Sequence, residues 1–336
     1  MSVKFTTKIR RKIKDISQAS HFGLRLTLIN MVPGRFLVKG FFIETREKLV
    51  LNYLRKNYSH IIEKYKNLKI ENSQLQSDCP IFVCWFQGEK AMPPIVKACF
   101  ASIKEFAQDH PVILITQENF SEYVEIPDHI LRKVNEKKIT LTHFSDIVRA
   151  NLLAKYDAIW LDSTVYLTAP LNWPTSNFHT LKRHGFCSCI AFSGFSPAYK
   201  DLTECVRWTG FCIRGGKTLF SFVSEVFSEY WKKENNMIGY LLIDYFIELA
   251  YENIPEIKNV IDSVPFSNEE RDYLSNHIAD DFDKNKLREI LKNTSIFKLS
   301  HKPADLGLNT ADLNSLSKNS IYRKIVDGTF LSDLGR

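Results

Sequence analysis

The sequence has no long apolar run and little glycine, and both shortages limit what the chain can be. No stretch approaches the roughly 18 consecutive apolar residues of a membrane-spanning helix, because Lys39 interrupts even the apolar segment 36–43. Only 13 of the 336 residues are glycine, and no Gly-x-Gly-x-x-Gly fingerprint occurs. Gly216-Lys217-Thr218 ends like a phosphate-binding loop, but Phe211 stands where the loop needs its first glycine. These absences argue against a membrane-spanning protein, a P-loop enzyme and a Rossmann dinucleotide enzyme.

Paired metal ligands are also scarce. The seven cysteines are an odd number scattered through apolar segments, so we expect buried thiols in a reducing cytoplasm rather than a disulfide framework. Cys187 and Cys189, with His184, resemble half of a zinc site, but no second ligand pair follows at a usual spacing. The nine histidines form no His-Glu-x-x-His motif, and we interpret His143 as a helix-start residue. A zinc site is therefore not expected.

Positive charge is concentrated near the N-terminus. Residues 1–72 carry sixteen Lys/Arg and five Asp/Glu, a net of +11, which leaves −4 for the other residues out of a total of +7. Phe5, Ile9, Ile13 and Ile16 recur at helical spacing among these basic residues, a pattern typical of helices on membrane surfaces. We predict an anionic membrane surface as a partner; the alternative is a helical appendage whose lysines are merely solvated. Nucleic acid is not expected, because no basic stretch continues into the rest of the chain.

The rest of the chain alternates predicted strands with predicted helices. Strands are expected near 80–86 and 111–116, with helices after each, which is typical of an α/β layered domain. At 44% hydrophobic residues, the chain is long and apolar enough to bury one large core. The predicted organisation is a basic helical region at 1–72, the main domain at 79–305 and a helical tail at 306–336.

The most informative segment places three charged residues close together. Asp146 and Arg149 lie one turn apart in a predicted helix, and Asp162 lies near the end of a strand predicted over 158–167. Ligands of open α/β sheets bind at the carboxyl ends of strands, so the three side chains are placed to face one pocket. Spacing alone allows two plainer readings: an ordinary ion pair for Asp146 and Arg149, and a turn residue for Asp162.

Asp244 is unusual on physical grounds alone. It lies inside the apolar run 240–247, where a charged group without a partner costs several kcal/mol. Such an acid is either held in a structural salt bridge or functional, and the sequence leaves both interpretations open.

Together these motifs resemble the capsular polysaccharide synthesis proteins. That family is part of a wider group of DXD-type sugar transferases, which includes yeast mannosyltransferases and the glucosylating clostridial toxins. The resemblance covers roughly residues 79–305 and is carried by five segments: Ile81 to Gly88, Ser145-Asp146-Ile147-Val148-Arg149, Asp162-Ser163-Thr164, Leu242-Ile243-Asp244 and Lys298-Leu299-Ser300. It implies an α/β fold of the GT-A type, with one nucleotide-sugar-binding domain and a mixed central sheet.

The resemblance also implies a donor site. Asp146 and Arg149 would hold hydroxyl groups of the donor sugar, and Trp85, beside Gln87, would stack on its base unless it is simply a core tryptophan. Asp162 corresponds to the first acid of the DXD motif and would be the metal ligand. Thr164 replaces the second acid and leaves fewer hard ligands, so a requirement for Mn²⁺ or Mg²⁺ stays open.

The remaining site residues follow from the same resemblance. Asp244, together with Asp162, is the predicted catalytic residue, since the family places an acid of this helix near the reacting sugar. Trp208 and Gly210 are predicted on the acceptor side. The residues predicted near the diphosphate are Lys298, His301 and Lys302.

The sequence therefore predicts a hexosyltransferase. It would move a hexose from a nucleotide sugar, expected to be a UDP-sugar, to a capsular or cell-surface glycan acceptor carried on a lipid. Retention of configuration and a place on the cytoplasmic face of a bacterial cell membrane are further expectations. The alternative is a degenerate member that binds glycan or scaffolds a capsule-assembly complex without catalysis. Thr164 favours this alternative, and the intact Ser-Asp-x-x-Arg argues against it.

Overall fold

The structure is a computed structural model, and it describes most but not all of the chain. The described residues are 17, 20–31, 40–70, 78–171, 178–182, 208–239, 241–306 and 308–336. The basic segment around 4–16 and the half zinc site at 184–189 lie outside these residues.

The described strands are short and numbered along the chain. They are β1 Ile81–Cys84, β2 Val112–Ile115, β3 Ile159–Leu161, β4 Val165–Leu167, β5 Phe178–Thr180, β6 Cys212–Gly215 and β7 Ile296–Lys298.

The described helices are numbered in the same way. They are α1 Leu24–Met31, α2 Gly40–Asn57, α3 Ser59–Tyr65, α4 Pro94–Phe106, α5 Phe120–Tyr123, α6 Asp128–Asn135, α7 Leu141–Lys155, α8 Lys217–Lys233, α9 Leu242–Asn253, α10 Pro255–Asp262, α11 Tyr273–Asn276, α12 Lys284–Ile290, α13 Thr310–Ser315, α14 Ile321–Val326 and α15 Phe330–Leu334.

A mixed five-stranded sheet organises the domain. Its order is β2-β1-β3-β6-β5, in which β1 pairs parallel with β2 and β3, while β6 pairs antiparallel with β3 and β5. β4 and β7 form a separate antiparallel pair. The predicted α/β fold class with a mixed central sheet is confirmed.

One predicted strand is wrong in its extent. The segment 158–167 forms two strands, β3 and β4, in different sheets rather than one continuous strand. The chain turns at Asp162-Ser163-Thr164, where the Val165 N–H donates to the Asp162 carbonyl at 2.9 Å. Asp and Ser favour turns because their side chains compete for local backbone groups. The physical consequence is that Asp162 lies on a turn between sheets.

Side chains alternate between the two faces of the central sheet, and each face packs into its own hydrophobic core. Phe82 and Trp160 pack on the face covered by α7, α8 and α9, whereas Ile81 and Val83 pack on the face covered by α4. Successive strand residues point to opposite faces, so a strand that is buried on both sides reads as a continuous apolar run. This burial holds the strand ends, and the residues that follow them, in fixed positions.

The segments before and after the sheet also pack into these cores. α2 and α3 lie against α9 and α8, with Val50, Leu54 and Tyr58 fully buried. The two helices are separate, since α2 ends at Asn57 and α3 begins at Ser59. At the other end, residues of α14 and α15 join the second core. The domain boundaries at 72, 79 and 305 stay predictions.

Two further sequence expectations can be compared with the described residues. Within them, no helix is both long enough and apolar enough to cross a bilayer. Four cysteines are buried thiols, as predicted, and they are Cys79, Cys84, Cys99 and Cys212. The other three cysteines, Cys187, Cys189 and Cys205, lie outside the described residues.

Candidate active site at the strand ends

Asp162 lies at the edge of the sheet where β1 and β3 both end. These strands are parallel, so their carboxyl ends share one edge, and Trp85 follows β1 as Asp162 follows β3. β6 runs in the opposite direction and brings the residues that precede it to the same edge. The Asp162 N–H donates to the Phe211 carbonyl at 2.8 Å, which fixes the backbone at this point.

The Asp162 carboxylate is surrounded by donors. Lys298 Nζ lies 2.7 Å from Oδ2, while the Trp160 indole N–H donates to Oδ1 at 2.8 Å and Arg149 Nη1 lies 3.6 Å from Oδ1. Burial by itself would raise the pKa of Asp162, but the charges of Lys298 and Arg149 and these hydrogen bonds outweigh it and hold the pKa below its usual range. Asp162 is therefore an anion at neutral pH, with a cation near each oxygen.

Lys298 is held in place by its own strand. β7 pairs with β4, which puts Lys298 opposite Val165, and the Leu299 N–H donates to the Thr164 carbonyl at 2.9 Å. Lys298 Nζ also donates to Thr164 Oγ1 at 2.7 Å. The ammonium thus lies between the acid and the hydroxyl of the Asp162-Ser163-Thr164 turn.

Asp146 and Arg149 form the expected ion pair, but Arg149 does more than pair. Arg149 Nη2 lies 2.8 Å from Asp146 Oδ1, and its Nη1 donates to the Gly210 carbonyl. Its guanidinium lies 5.5 Å from the Trp160 ring centroid, and only 4% of Arg149 is exposed. A Cβ on Gly210 would lie 3.4 Å from Arg149 Nη1, an ordinary van der Waals contact, so Gly210 packs against the guanidinium. Arg149 therefore links the α7 ion pair to Asp162 and to the segment before β6.

Asp244 is buried beneath this network. Only 5% of it is exposed, and the Trp208 indole N–H donates to its Oδ1 at 3.3 Å. Among the described residues, no Lys, Arg or His lies within 4 Å of its carboxylate. Burial raises the pKa of Asp244 to about 7, although the charge of Arg149 opposes the shift. The salt-bridge interpretation of Asp244 is thus not supported by the described residues.

The other predicted site residues occupy the rim. The rings of Trp85 and His301 meet edge to face, with centroids 5.3 Å apart, and burial lowers the pKa of His301. Gln87 and Lys302 are exposed. The structure therefore links six of the predicted residues in one chain of contacts: Arg149 contacts Asp146, Gly210 and Asp162, and Lys298 contacts Asp162 and Thr164. It also joins Trp208 to Asp244 and leaves Gln87 and Lys302 exposed.

Several residues of the site were missed by sequence reasoning. Trp160 donates to Asp162, and the Phe211 ring lies 5.2 Å from Lys298 Nζ. His143 does begin α7 as predicted, since its N–H donates to the capping Thr140 hydroxyl, but its Nδ1 also lies 3.7 Å from Asp146 Oδ2. Trp160 lies inside an apolar strand-like segment and carries no sequence signal for this role, because a core tryptophan looks the same.

Two buried acids near Asp244 were also missed. Glu248 is 6% exposed and raises the pKa of Asp244, and Glu47 on α2 is 5% exposed with a pKa raised by burial to about 7. The spacing of four residues between Asp244 and Glu248 places both on one face of α9 and was the signal available for Glu248. No comparable signal identifies Glu47, because α2 reaches α9 only in the folded chain.

Of three comparisons with known proteins, the one with protein families agrees with the motif-based resemblance. The chain aligns with 52% of the length of bifunctional glycosyltransferase WbbM, whose apo structure matches over 79% of this chain at 13% identity and a TM-score of 0.37. No curated protein sequence gives a significant match. The model of the family described as capsular polysaccharide synthesis protein matches residues 35–325. This match extends from α2 to α14 and includes every candidate site residue, so the chain belongs to the capsular polysaccharide synthesis protein family.

Proposed function

We propose that this chain is a glycosyltransferase that moves a hexose from a nucleotide-sugar donor to a capsular or cell-surface glycan. The donor is a UDP-sugar in this proposal, and the acceptor is carried on a lipid. Membership of the family connects the chain to capsule synthesis, while the donor, acceptor and stereochemistry are part of the proposal.

The convergence of two cations on Asp162 is the observation that carries the proposal. Departure of a nucleoside diphosphate builds negative charge, and positive groups aimed at that charge stabilise the transition state. Lys298 and Arg149 come from β7 and α7 and meet at the strand ends, where ligands of α/β sheets bind. An ordinary surface ion pair needs neither this convergence nor the burial of Arg149.

Asp244 supports an acceptor or catalytic subsite that the charge of Arg149 influences from a distance. A carboxyl group with a pKa of about 7 exchanges protons readily near neutral pH, which suits a group that contacts a reacting hydroxyl. In the proposed retaining reaction, the bond between the anomeric carbon and the diphosphate breaks. The acceptor oxygen bonds to that carbon on the same face, and its proton passes to the departing diphosphate. Trp208 connects Asp244 to the segment that precedes β6 and would line the acceptor side.

We also propose that the protein acts at the inner, cytoplasmic surface of a bacterial cell membrane. Supporting evidence is the net charge of +11 on residues 1–72, together with three exposed apolar side chains on one face of α1. Leu24 is 74% exposed, Leu28 54% and Met31 53%, and their spacing of four and three residues forms a stripe. A basic N-terminal sequence and an apolar stripe on α1 each fit a surface of anionic lipid, where each basic charge contributes about 1 kcal/mol.

Donor binding is the first test of the proposed function. Thermal unfolding would be measured with UDP-, GDP- and CMP-sugars for the wild type, for Asp162→Ala and for the control Glu289→Ala, an exposed acid on α12. A donor at one hundred times its dissociation constant stabilises the fold by about 2.7 kcal/mol. We expect one nucleotide class to stabilise the wild type and the control but not Asp162→Ala. If no donor stabilises the wild type, the non-catalytic glycan-binding alternative replaces the transferase.

Membrane binding has a separate test. Vesicles of anionic and of zwitterionic lipid would be floated with the wild type, with a chain lacking residues 1–20 and with the double variant Leu24→Ser/Leu28→Ser. We expect binding to anionic vesicles only, weakened by both changes and by salt. Unchanged binding of the truncated chain at low salt would contradict this part of the proposal.

A further inference from the structure

We propose that the Lys298 ammonium takes the place of a divalent cation in this site, so that the donor diphosphate binds without a metal ion. This inference rests on the proposed function, because it concerns how the proposed donor is held.

The oxygen ligands present do not fit a divalent cation. Mg²⁺ and Mn²⁺ favour octahedral shells of oxygen ligands, and enzymes commonly supply one or two carboxylates to such a site. Here the turn offers one carboxylate, Asp162, and only neutral hydroxyls beside it, those of Ser163 and Thr164. Within the part of the chain that the structure describes, no group of three or more His, Cys, Asp or Glu side chains is arranged to hold a metal ion.

Lys298 already fills the position between Asp162 and Thr164. Its Nζ lies 2.7 Å from Asp162 Oδ2 and 2.7 Å from Thr164 Oγ1, both charge-assisted hydrogen-bond distances. A metal ion bound by the same two oxygens would meet the ammonium directly. The pairing of β7 with β4 fixes the backbone of Lys298, so the ammonium is a built part of the site rather than the end of a solvent-exposed chain.

The charge of the site is consistent with this replacement. Two carboxylates and a divalent cation sum to zero, and one carboxylate with one ammonium also sums to zero. Thr164 in place of the second acid removes one negative charge. Lys298 in place of a divalent cation removes one positive charge, so the two changes balance. An ammonium has three N–H donors, and Asp162 and Thr164 accept two of them, which leaves the third for a phosphate oxygen. Arg149, on the other side of Asp162, supplies a second cation for the diphosphate.

Calorimetric titration with UDP and GDP tests the inference. The titrations would be made in excess EDTA and in excess MnCl₂. They would compare the wild type, Lys298→Ala and the control Lys292→Ala, an exposed lysine between α12 and β7. We expect the preferred nucleotide to bind the wild type with affinities that agree within about twofold in the two buffers. We expect Lys298→Ala to weaken binding by about 100-fold in EDTA, since it removes a cation aimed at phosphate, and Lys292→Ala to leave binding unchanged.

A reconstructed metal site provides the complementary test. The double variant Thr164→Asp/Lys298→Ala restores two carboxylates and removes the ammonium, so it should bind the nucleotide only when Mn²⁺ is present. Electron paramagnetic resonance of Mn²⁺ with the wild type needs no variant: the signal of free Mn²⁺ should be unaffected by the protein and the nucleotide beyond the weak complex that nucleotide alone forms.

The outcomes separate this inference from the proposed function. Binding of UDP or GDP to the wild type that requires Mn²⁺ would overturn the inference and leave the transferase standing. Absence of nucleotide binding in both buffers would overturn the proposed function and the inference together. Metal-independent binding that depends on Lys298 supports both.

Discussion

Asp162, partly buried at the strand ends, and Asp244, buried on α9, are both acids of the candidate site, yet their surroundings shift their pKa values in opposite directions. Asp162 has Lys298 and Arg149 within 4 Å and a pKa below its usual range. Asp244 has only the Trp208 N–H as a close donor among the described residues, and burial raises its pKa to about 7. Two acids with separated pKa values can take different roles: one holds charge, and the other holds or transfers a proton.

The comparison shows that burial alone does not determine the protonation state of an acid. Arg149 influences both carboxylates, but it is close to Asp162 and acts on Asp244 only from a distance. Because the interaction falls with distance, and desolvation opposes the charged form at both sites, the pairing with Lys298 makes the difference.

Removal of the paired acid should have the largest effect. Asp162→Ala leaves Lys298 and Arg149 without the carboxylate that orients them, so we expect the rate of transfer to fall by about 100-fold or more. The measurement is release of nucleoside diphosphate from the donor that the thermal panel identifies. Glu289→Ala should match the wild type, and a loss of less than about threefold in Asp162→Ala would contradict the assigned role.

Asp244→Asn should change the free energy of unfolding in a way that depends on pH. An unfolded aspartate ionises near its ordinary value of 3.8, whereas Asp244 ionises near 7, so the folded state binds more protons between these values. The wild type therefore loses stability as the pH rises through this window, and Asn carries no charge to be buried. We expect the variant to be more stable than the wild type by about 2–4 kcal/mol near pH 8, with a smaller difference at acidic pH.

Urea unfolding at acidic and alkaline pH measures this effect. Glu47→Gln should behave in the same direction, since burial raises the pKa of Glu47 to about 7 as well. Glu289→Gln, on the exposed face of α12, is the control and should show no such pH dependence. A variant Asp244→Asn that is less stable than the wild type at alkaline pH would show that the carboxylate has a strong partner after all.

Trp160→Phe should weaken the paired site by a smaller amount. The change removes the indole N–H that donates to Asp162 at 2.8 Å, and a hydrogen bond to a charged group contributes about 1.5–3 kcal/mol when buried. Asp162 is about one-third exposed, so we expect a loss of about 1–2 kcal/mol near neutral pH. The loss should diminish at a pH low enough to protonate Asp162. A pH-independent loss would mean that packing, and not the hydrogen bond, accounts for the effect.

Trp208→Phe is the matched change at the other acid and should have the smallest effect. Its N–H lies 3.3 Å from Asp244 Oδ1, a longer contact with a group that is partly protonated at neutral pH. We expect a loss of about 1 kcal/mol or less near pH 8 and a shift of the stability transition to higher pH, because this hydrogen bond lowers the pKa of Asp244. A larger loss than in Trp160→Phe would reverse the comparison.

Local patterns were sufficient for part of the site. The spacing of Asp146 and Arg149 predicts a shared helix face, and the two residues do form an ion pair on α7. The apolar surroundings of Asp244 predict burial, which the structure confirms. Both inferences depend on residues within a few positions of each other, where helical geometry and hydrophobicity determine the outcome.

Such local patterns do not predict contacts between distant segments. Lys298 is 136 positions from Asp162, and the sequence assigned it only to the phosphate region. The division of 158–167 into β3 and β4 was missed because an apolar, β-branched segment favours a strand on either side of the turn. The pairing of β4 with β7 brings Lys298 to the site, and no local sequence pattern predicts which strand β4 pairs with.

The sequence by itself determined the α/β class, the helix that carries Asp146 and Arg149, and the presence of acids at a strand end and inside an apolar helix. These properties follow from periodicity and from the cost of burying polar groups. Only the tertiary structure decided which acid is charged and which is close to neutral. That outcome depends on whether a cation from a distant strand or helix comes within about 4 Å of the carboxylate. The fold brings Lys298 and Arg149 within this distance of Asp162, and among the described residues it brings no cation that close to Asp244.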